Sequence, residues 1–237
     1  MPSARAAVLT LAALLVAAVP MRVIAADPAG YALDPVHTRV LFAVSHAGFS
    51  QALGTVSGST GTLWFDRDDW RSARLDVRVP LARLDLGDPK WNAAALASNL
   101  LDGDRHPEAR FVSRTVEPVD ADQALVCGEL TLRAVTRPLC LDVTFNQLKR
   151  HPLPPFRRTV GFSASATLSR ADYGIDAWKS VIGDEVELRI EAEAVRSNRA
   201  DETLDASDEV AAPIAEPAAP PEPVQDPPTD PSPEPVP

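Results

Sequence analysis

The chain has 237 residues, 45% of them hydrophobic, with 23 basic and 33 acidic side chains. Ten of the acidic residues lie in 200–237, a segment without Lys or Arg, so the net charge of −10 belongs to that segment and residues 1–199 are balanced. A balanced domain lacks the basic face that nucleic acid demands, and no nucleic-acid partner is expected.

Residues 1–25 read as a secretory signal. Arg5 supplies the positive start, an apolar run follows from Ala6 to Val19, and Val23-Ile24-Ala25 offers a small-residue cleavage site. The run is roughly 14–16 residues, short of the ~20 needed to cross a bilayer. Cleavage is therefore favoured over an uncleaved anchor. The only cysteines, Cys127 and Cys140, are far from that site, so it carries no lipid attachment. The mature domain is expected at 27–199, about 170 residues, a size suited to one core.

Within it the pattern is mostly period two, the mark of strands with one wet face. A short strand is expected at Tyr31–Leu33. The next puts Val40, Phe42 and Val44 on one face, with His46 continuing it. A strand follows around Thr55–Phe65, and another at 74–79 with Leu75, Val77 and Val79 together. The segment 89–101 breaks the pattern: Ala93, Leu96, Ala97, Leu100 and Leu101 follow helical spacing, with Asp88 as cap and Pro89 in the first turn. A strand at Ala109–Val116 carries Phe111. Residues 125–146 read as a hairpin turning near 134–136; pairing Leu130 with Leu139 keeps Gly128, Leu130, Leu132, Leu139, Leu141 and Val143 on one side. In that register Cys127 and Cys140 face outward, one diagonal step apart. Export permits a disulfide, but diagonal neighbours are often too distant, and the pairing stays open.

Gln147–Arg158 is expected as a loop with four cations plus Leu153 and Phe156, suited to an anionic membrane surface or a ligand phosphate, or merely to a proline-stiffened connection. Beyond it Val160, Phe162, Ala164, Ala166 and Leu168 share a face. In 185–194, Val186, Leu188, Ile190, Ala192 and Ala194 alternate with charges. The segment 200–237, with eleven prolines and ten carboxylates, has a composition expected to stay disordered.

These elements predict an all-β domain with one short helix: an eight-stranded antiparallel, up-and-down barrel, with a two-sheet sandwich as the competing fold. The apolar faces collect the candidate interior. Alternation leaves open whether that interior is solid or hollow. The small inward residues Ala164, Ala166, Ala192, Ala194 and Gly128 leave volume.

Five blocks then carry a family resemblance. They are Tyr31-x-Leu33-Asp34-x-x-His37-Thr38-x-Val40-x-Phe42-x-Val44-x-His46-x-Gly48; Pro107-Glu108-Ala109-Arg110-Phe111-x-Ser113; Gly128-x-Leu130-Thr131-Leu132-x-x-Val135-Thr136-x-Pro138; Leu168-x-Arg170-x-Asp172-Tyr173-Gly174; and Gly183-Asp184-Glu185-Val186. In this order they resemble the YceI-like family of exported lipid-binding proteins, over about Tyr31 to Val195. The resemblance implies a lipocalin-like extended β-barrel with a long apolar tunnel, a periplasmic location, and a polyisoprenoid or isoprenoid-quinone ligand. Ala134 departs from it by standing where a turn glycine is expected, and the acidic tail lies outside it.

Catalytic chemistry finds little support. His37, His46, His106 and His151 form no zinc-like spacing with cysteine or carboxylate. His46 suits either a ligand head group or a satisfied core position, and His37 a structural turn. Asp102, Asp104, His106 and Glu108 read as a solvated loop. Ser45, Ser113 and Ser163 sit in no nucleophile elbow, and no phosphate-cradling or dinucleotide glycine motif is present. A lipid carrier without cofactor or metal is the leading expectation. A filled barrel acting through its tail competes with it, and a lipid-modifying enzyme lacks a nucleophile–base pair.

Overall fold

The computed structural model describes residues 28–198. The expected signal segment, residues 1–25, and the expected disordered segment, 200–237, lie outside the described residues. Eleven strands run antiparallel: β1 (Ala29–Leu33), β2 (Arg39–His46), β3 (Ser50–Ser57), β4 (Thr60–Phe65), β5 (Arg74–Pro80), β6 (Leu84–Asp85), β7 (Glu108–Pro118), β8 (Gln123–Leu132), β9 (Val135–Arg150), β10 (Arg158–Ser169) and β11 (Ile182–Arg196). One helix, α1 (Pro89–Leu96), interrupts them.

The sheet closes. β1, β4, β5, β7, β8, β9, β10 and β11 are hydrogen-bonded in that order, and β11 returns to β1. This is an eight-stranded antiparallel extended barrel with one helix, and the single closed sheet excludes the sandwich. Full closure removes the unpaired edges that an open sheet would expose.

The ring is not a simple meander. β1 lies between β4 and β11 and does not pair with β2. β11 changes neighbour along one edge: Val186–Glu191 pair with β2, and Ala194–Arg196 pair with β1. β2, β3 and β6 form a three-strand flap attached there. At the change of neighbour, the Glu193 carbonyl accepts from Asp34 N at 2.8 Å and from Thr38 Oγ1 at 3.3 Å. The family block at 34–38 builds this junction. Asp34 Oδ1 accepts from the Val36 and His37 amides, and its Oδ2 lies 2.9 Å from His37 Nδ1.

Three sequence expectations shift in detail. The expected strand at 55–65 is two strands, β3 and β4, broken where Gly58 takes φ +80°; only a residue without Cβ adopts that geometry freely. The helix starts as expected, with the Asp88 carboxylate accepting from Lys90 N and Trp91 N, but it stops at Leu96. The basic segment contracts, because Gln147–Arg150 extend β9 and only 151–157 form the loop.

The hairpin register also moves. Arg133 and Ala134, at φ +52° and +60°, make a two-residue turn, the primed type that matches strand twist. Leu139 therefore faces Gly128, Leu130 faces Arg137, and Cys127 faces Cys140 directly. The displacement from the expected pairing is two residues, which preserves the inward face. It converts a diagonal cysteine pair into an opposed one, and the two are joined in a disulfide.

Candidate functional site: an apolar cavity inside the barrel

The barrel encloses a cavity of about 360 Å³ whose exposed wall is apolar throughout. Val40, Phe42 and Val44 of β2 line it, with Leu75, Val77 and Val79 of β5, Phe111 of β7, and Leu130 and Leu132 of β8. Leu139, Leu141 and Val143 of β9, Phe162 and Ala164 of β10, and Val186, Leu188 and Ile190 of β11 complete the expected set. Two candidates stand elsewhere. His46 leaves the wall at the end of β2, where its ring lies 5.2 Å from that of Trp91. Ala166 packs against the core without lining the cavity.

Small residues work in two ways. Ala164, Ala192 and Ala194 border the open space. Gly128 does not leave a hole: a Cβ there would fall 2.8 Å from the Phe111 ring and 2.2 Å from the Val112 carbonyl. Gly54 likewise accommodates Phe42, whose ring would meet a Cβ at 2.3 Å. In these two places glycine admits an aromatic ring to the wall.

One end is plugged. Phe65, Trp70, Phe145 and Phe162 pack together with ring centroids 5.2–6.2 Å apart. Most of these contacts are edge-to-face, the arrangement aromatic quadrupoles prefer. Outside them, the Arg67 guanidinium lies 4.4 Å from the Phe145 centroid and donates to Ala121 O and Asp122 Oδ1. Trp70 was absent from the sequence reading because it sits in a connection with no period to mark it.

The other end is covered by a lid. Ala95, Leu100 and Leu101 border the cavity from α1 and the turns after it, Leu81 and Leu84 from the β5–β6 connection and the start of β6, and Ile175 and Ile182 from the β10–β11 connection and the start of β11. No residue of α1 is fully buried. Polar bonds hold the lid down. Asn92 Oδ1 accepts from Leu86 N at 2.7 Å, and Arg133 donates to Ser98 O at 3.2 Å and Gly174 O at 2.8 Å.

The family block at 168–174 builds the base of this lid. Arg170 is 5% exposed and donates to the carbonyls of Ile175, Ala177, Ile182 and Gly183. Gly174 ends the turn at φ +69°. Asp184 accepts from Ser169 Oγ and Ala171 N. The Ser169 hydrogen bond holds its carboxyl below the usual range, against a smaller pull from burial. Burial, and then the charge of Asp172, push the Tyr173 hydroxyl up. Every role here is structural.

Polar groups inside are few. Ser113 Oγ accepts from Leu75 N at 2.8 Å. Ser59 Oγ and Trp70 Nε1 are buried with no partner among the described residues. No group of three His, Cys, Asp or Glu side chains able to hold a metal occurs among them. Asp102, expected in a solvated loop, is 3% exposed and meets Arg105 at 2.6 Å. Such a chamber offers shape and dryness but hardly any directional contact.

A model of the YceI-like domain matches residues 31–194. The chain belongs to the YceI-like family. A UPF0312 protein of Pseudomonas savastanoi pv. phaseolicola is 33% identical over 149 residues, covering 62% of this chain and 77% of that protein. Among solved structures, Burkholderia cenocepacia BcnA is similar with a TM-score of 0.61 at 21% identity, over 68% of this chain and 98% of that one. A polyisoprenoid binding domain from Saccharophagus degradans, implicated in plant cell wall breakdown, is similar with a TM-score of 0.54 at 13% identity, over 70% and 98%. At these identities the two structures bear on the YceI-like fold alone.

Proposed function

We propose that this chain is an exported, periplasmic carrier that holds a long-chain apolar lipid, of the polyisoprenoid or isoprenoid-quinone class, in the barrel without chemically altering it. The cavity between the aromatic plug and the lid, whose exposed wall is apolar, carries this reading. A flexible hydrocarbon fits such a space, and each buried methylene contributes roughly 0.8 kcal/mol. The secretory pattern of residues 1–25 supports export, and the likeness to a polyisoprenoid binding domain supports the ligand class. The exposed basic residues Lys149, Arg150, Arg157 and Arg158 suit passing contact with an anionic surface.

Protein purified without detergent, extracted with organic solvent and examined by mass spectrometry should yield an isoprenoid-type lipid. Emptied protein should take up a polyprenol added from ethanol. Ala164→Trp, which fills the middle of the cavity, should abolish uptake while leaving the β-sheet circular dichroism unchanged. Empty protein that also refuses polyprenols and quinones would overturn the proposal.

A further inference from the structure

Three of the segments at the lid end have a double character. The β2–β3 hairpin puts Val44 into the cavity and Phe49, 93% exposed, at its turn. Helix α1 puts Ala95 inward and Trp91, 45% exposed, outward. The β10–β11 connection puts Ile175 inward, followed by Ile182 at the start of β11, and Trp178, 60% exposed, outward.

The three segments form one rim. The His46 ring lies tilted against Trp91, and the His46 carbonyl accepts from Phe49 N at 3.1 Å. Ala47 N donates to Val181 O, while Val181 N and Ile182 N both donate to Trp178 O. Trp178 holds φ +59°, a left-handed conformation that is costly for a bulky side chain. A large aromatic ring is thus fixed in water with no packing role inside the barrel.

We propose that this rim is a bilayer-docking surface. Phe49, Trp91 and Trp178 insert among phospholipid head groups, and the cavity is loaded through the lid they carry. The inference rests on the lipid-carrier reading, since a lipid cargo must come from a lipid phase. The chemistry fits a bilayer. Tryptophan favours the interface because its ring is apolar and its N–H is polar. Exposed Lys90 stands next to Trp91 in the chain, where its ammonium group can meet lipid phosphates. Carboxylates nearby are engaged: Asp88 caps α1, and Asp176 lies 3.3 Å from Lys179. The opposite, plugged end carries Lys149, Arg150, Arg157 and Arg158, none in an ion pair among the described residues. That end would be held by charge, whereas the rim would be held by insertion. Docking at the rim also reaches the only cover that polar bonds, and not a ring cluster, hold shut.

The four tryptophans make the orientation measurable. Trp91 and Trp178 lie on the rim, while Trp70 lies in the plug and Trp64 at the far end of β4. Phosphatidylcholine vesicles with brominated acyl chains should quench part of the full-length protein's emission. In the double variant Trp91→Phe, Trp178→Phe the remaining emission should not be quenched. Phe49→Ser with Trp178→Ser should weaken vesicle association about tenfold or more. Unchanged quenching in the double variant, or vesicle binding lost only on charge reversal of the four basic residues, would overturn the docking surface. So would a lack of association with vesicles of any composition. Polyprenol delivered from ethanol, without vesicles, should load the rim variants like the wild type. Failure of the wild type in that assay would sink the carrier reading and leave the quenching result to judge the docking by itself.

Discussion

Cys127 and Cys140 face each other directly across the β8–β9 hairpin, joined by a disulfide with their Cα atoms 4.0 Å apart. The bridge closes a loop of sequence separation 13. Chain entropy in the unfolded state puts its worth at about 3 kcal/mol. The double variant Cys127→Ser, Cys140→Ser should lower the urea midpoint accordingly, and excess reductant should do the same to the wild type. Denatured but unreduced protein should show no titratable thiol; two thiols would remove the bridge from the account.

The turn beneath that bridge is suboptimal. Ala134 holds φ +60°, where an L-residue with a Cβ is disfavoured. Ala134→Gly should stabilise the fold by about 1 kcal/mol. Arg133→Gly is the instructive contrast: it relieves the same kind of strain but deletes the bonds to Ser98 O and Gly174 O. It should leave the lid more open to proteolysis than the alanine change does. Equal protection in both variants would show that Arg133 does not hold the lid.

Arg170 should tolerate little. Arg170→Met keeps much of the volume but leaves four carbonyls without their donor. A loss of about 3–5 kcal/mol in denaturation is expected. Lysine cannot reproduce the planar fork, so Arg170→Lys should recover only a fraction. A variant as stable as wild type would mean that the β10–β11 connection is held by other contacts.

The junction at Asp34 and His37 predicts a modest pH dependence. The Asp34 hydrogen bond and then its charge raise the His37 pKa above its ordinary 6.5. Its contribution is therefore complete below pH 6.5 and disappears as pH rises through the folded value. For Asp34, burial pulls upward, but the His37 bond together with the Val36 and His37 amides outweighs it and holds the carboxyl below 3.8. That contribution is present above 3.8 and is lost as pH falls through the folded value. The wild-type advantage over Asp34→Asn should thus be widest between 3.8 and 6.5 and narrow on either side. NMR titration should place the His37 imidazole above 6.5 in the wild type and return it toward 6.5 in the variant.

The inward face of the long strands was legible because one-sided burial writes a period of two into Leu75–Val79 and Val186–Ile190. The same rule overran at two positions. His46 keeps the phase of β2, yet the strand leaves the barrel there and the ring finds Trp91 instead. Ala166 keeps the phase of β10 between Ala164 and Leu168, which both line the cavity, but it does not border the space itself. The β8–β9 turn was legible near 134–136, with Ala134 at a turn position, but neither Arg133 nor Ala134 is a customary turn former, so the turn fell one residue off and the hairpin register slipped with it. Most of the lid, and Trp70 of the plug, lie outside the long strands, where contacts come from distant segments and leave no period behind. The block at 168–174 was visible as a motif; that Arg170 gathers four carbonyls required coordinates.

The change of neighbour along β11 gives the two halves of the barrel unequal standing. Around the plug the wall is a complete hoop, and opening it means breaking strand pairs. Around the lid the wall is finished by a short flap whose last strand, β6, has only two residues. Amide exchange should therefore grade along the axis, slowest near Val160 and fastest near α1, as in a vessel with a cast base and a hinged neck. On the carrier proposal, changes in cargo length would be absorbed at the neck without unseating the hoop.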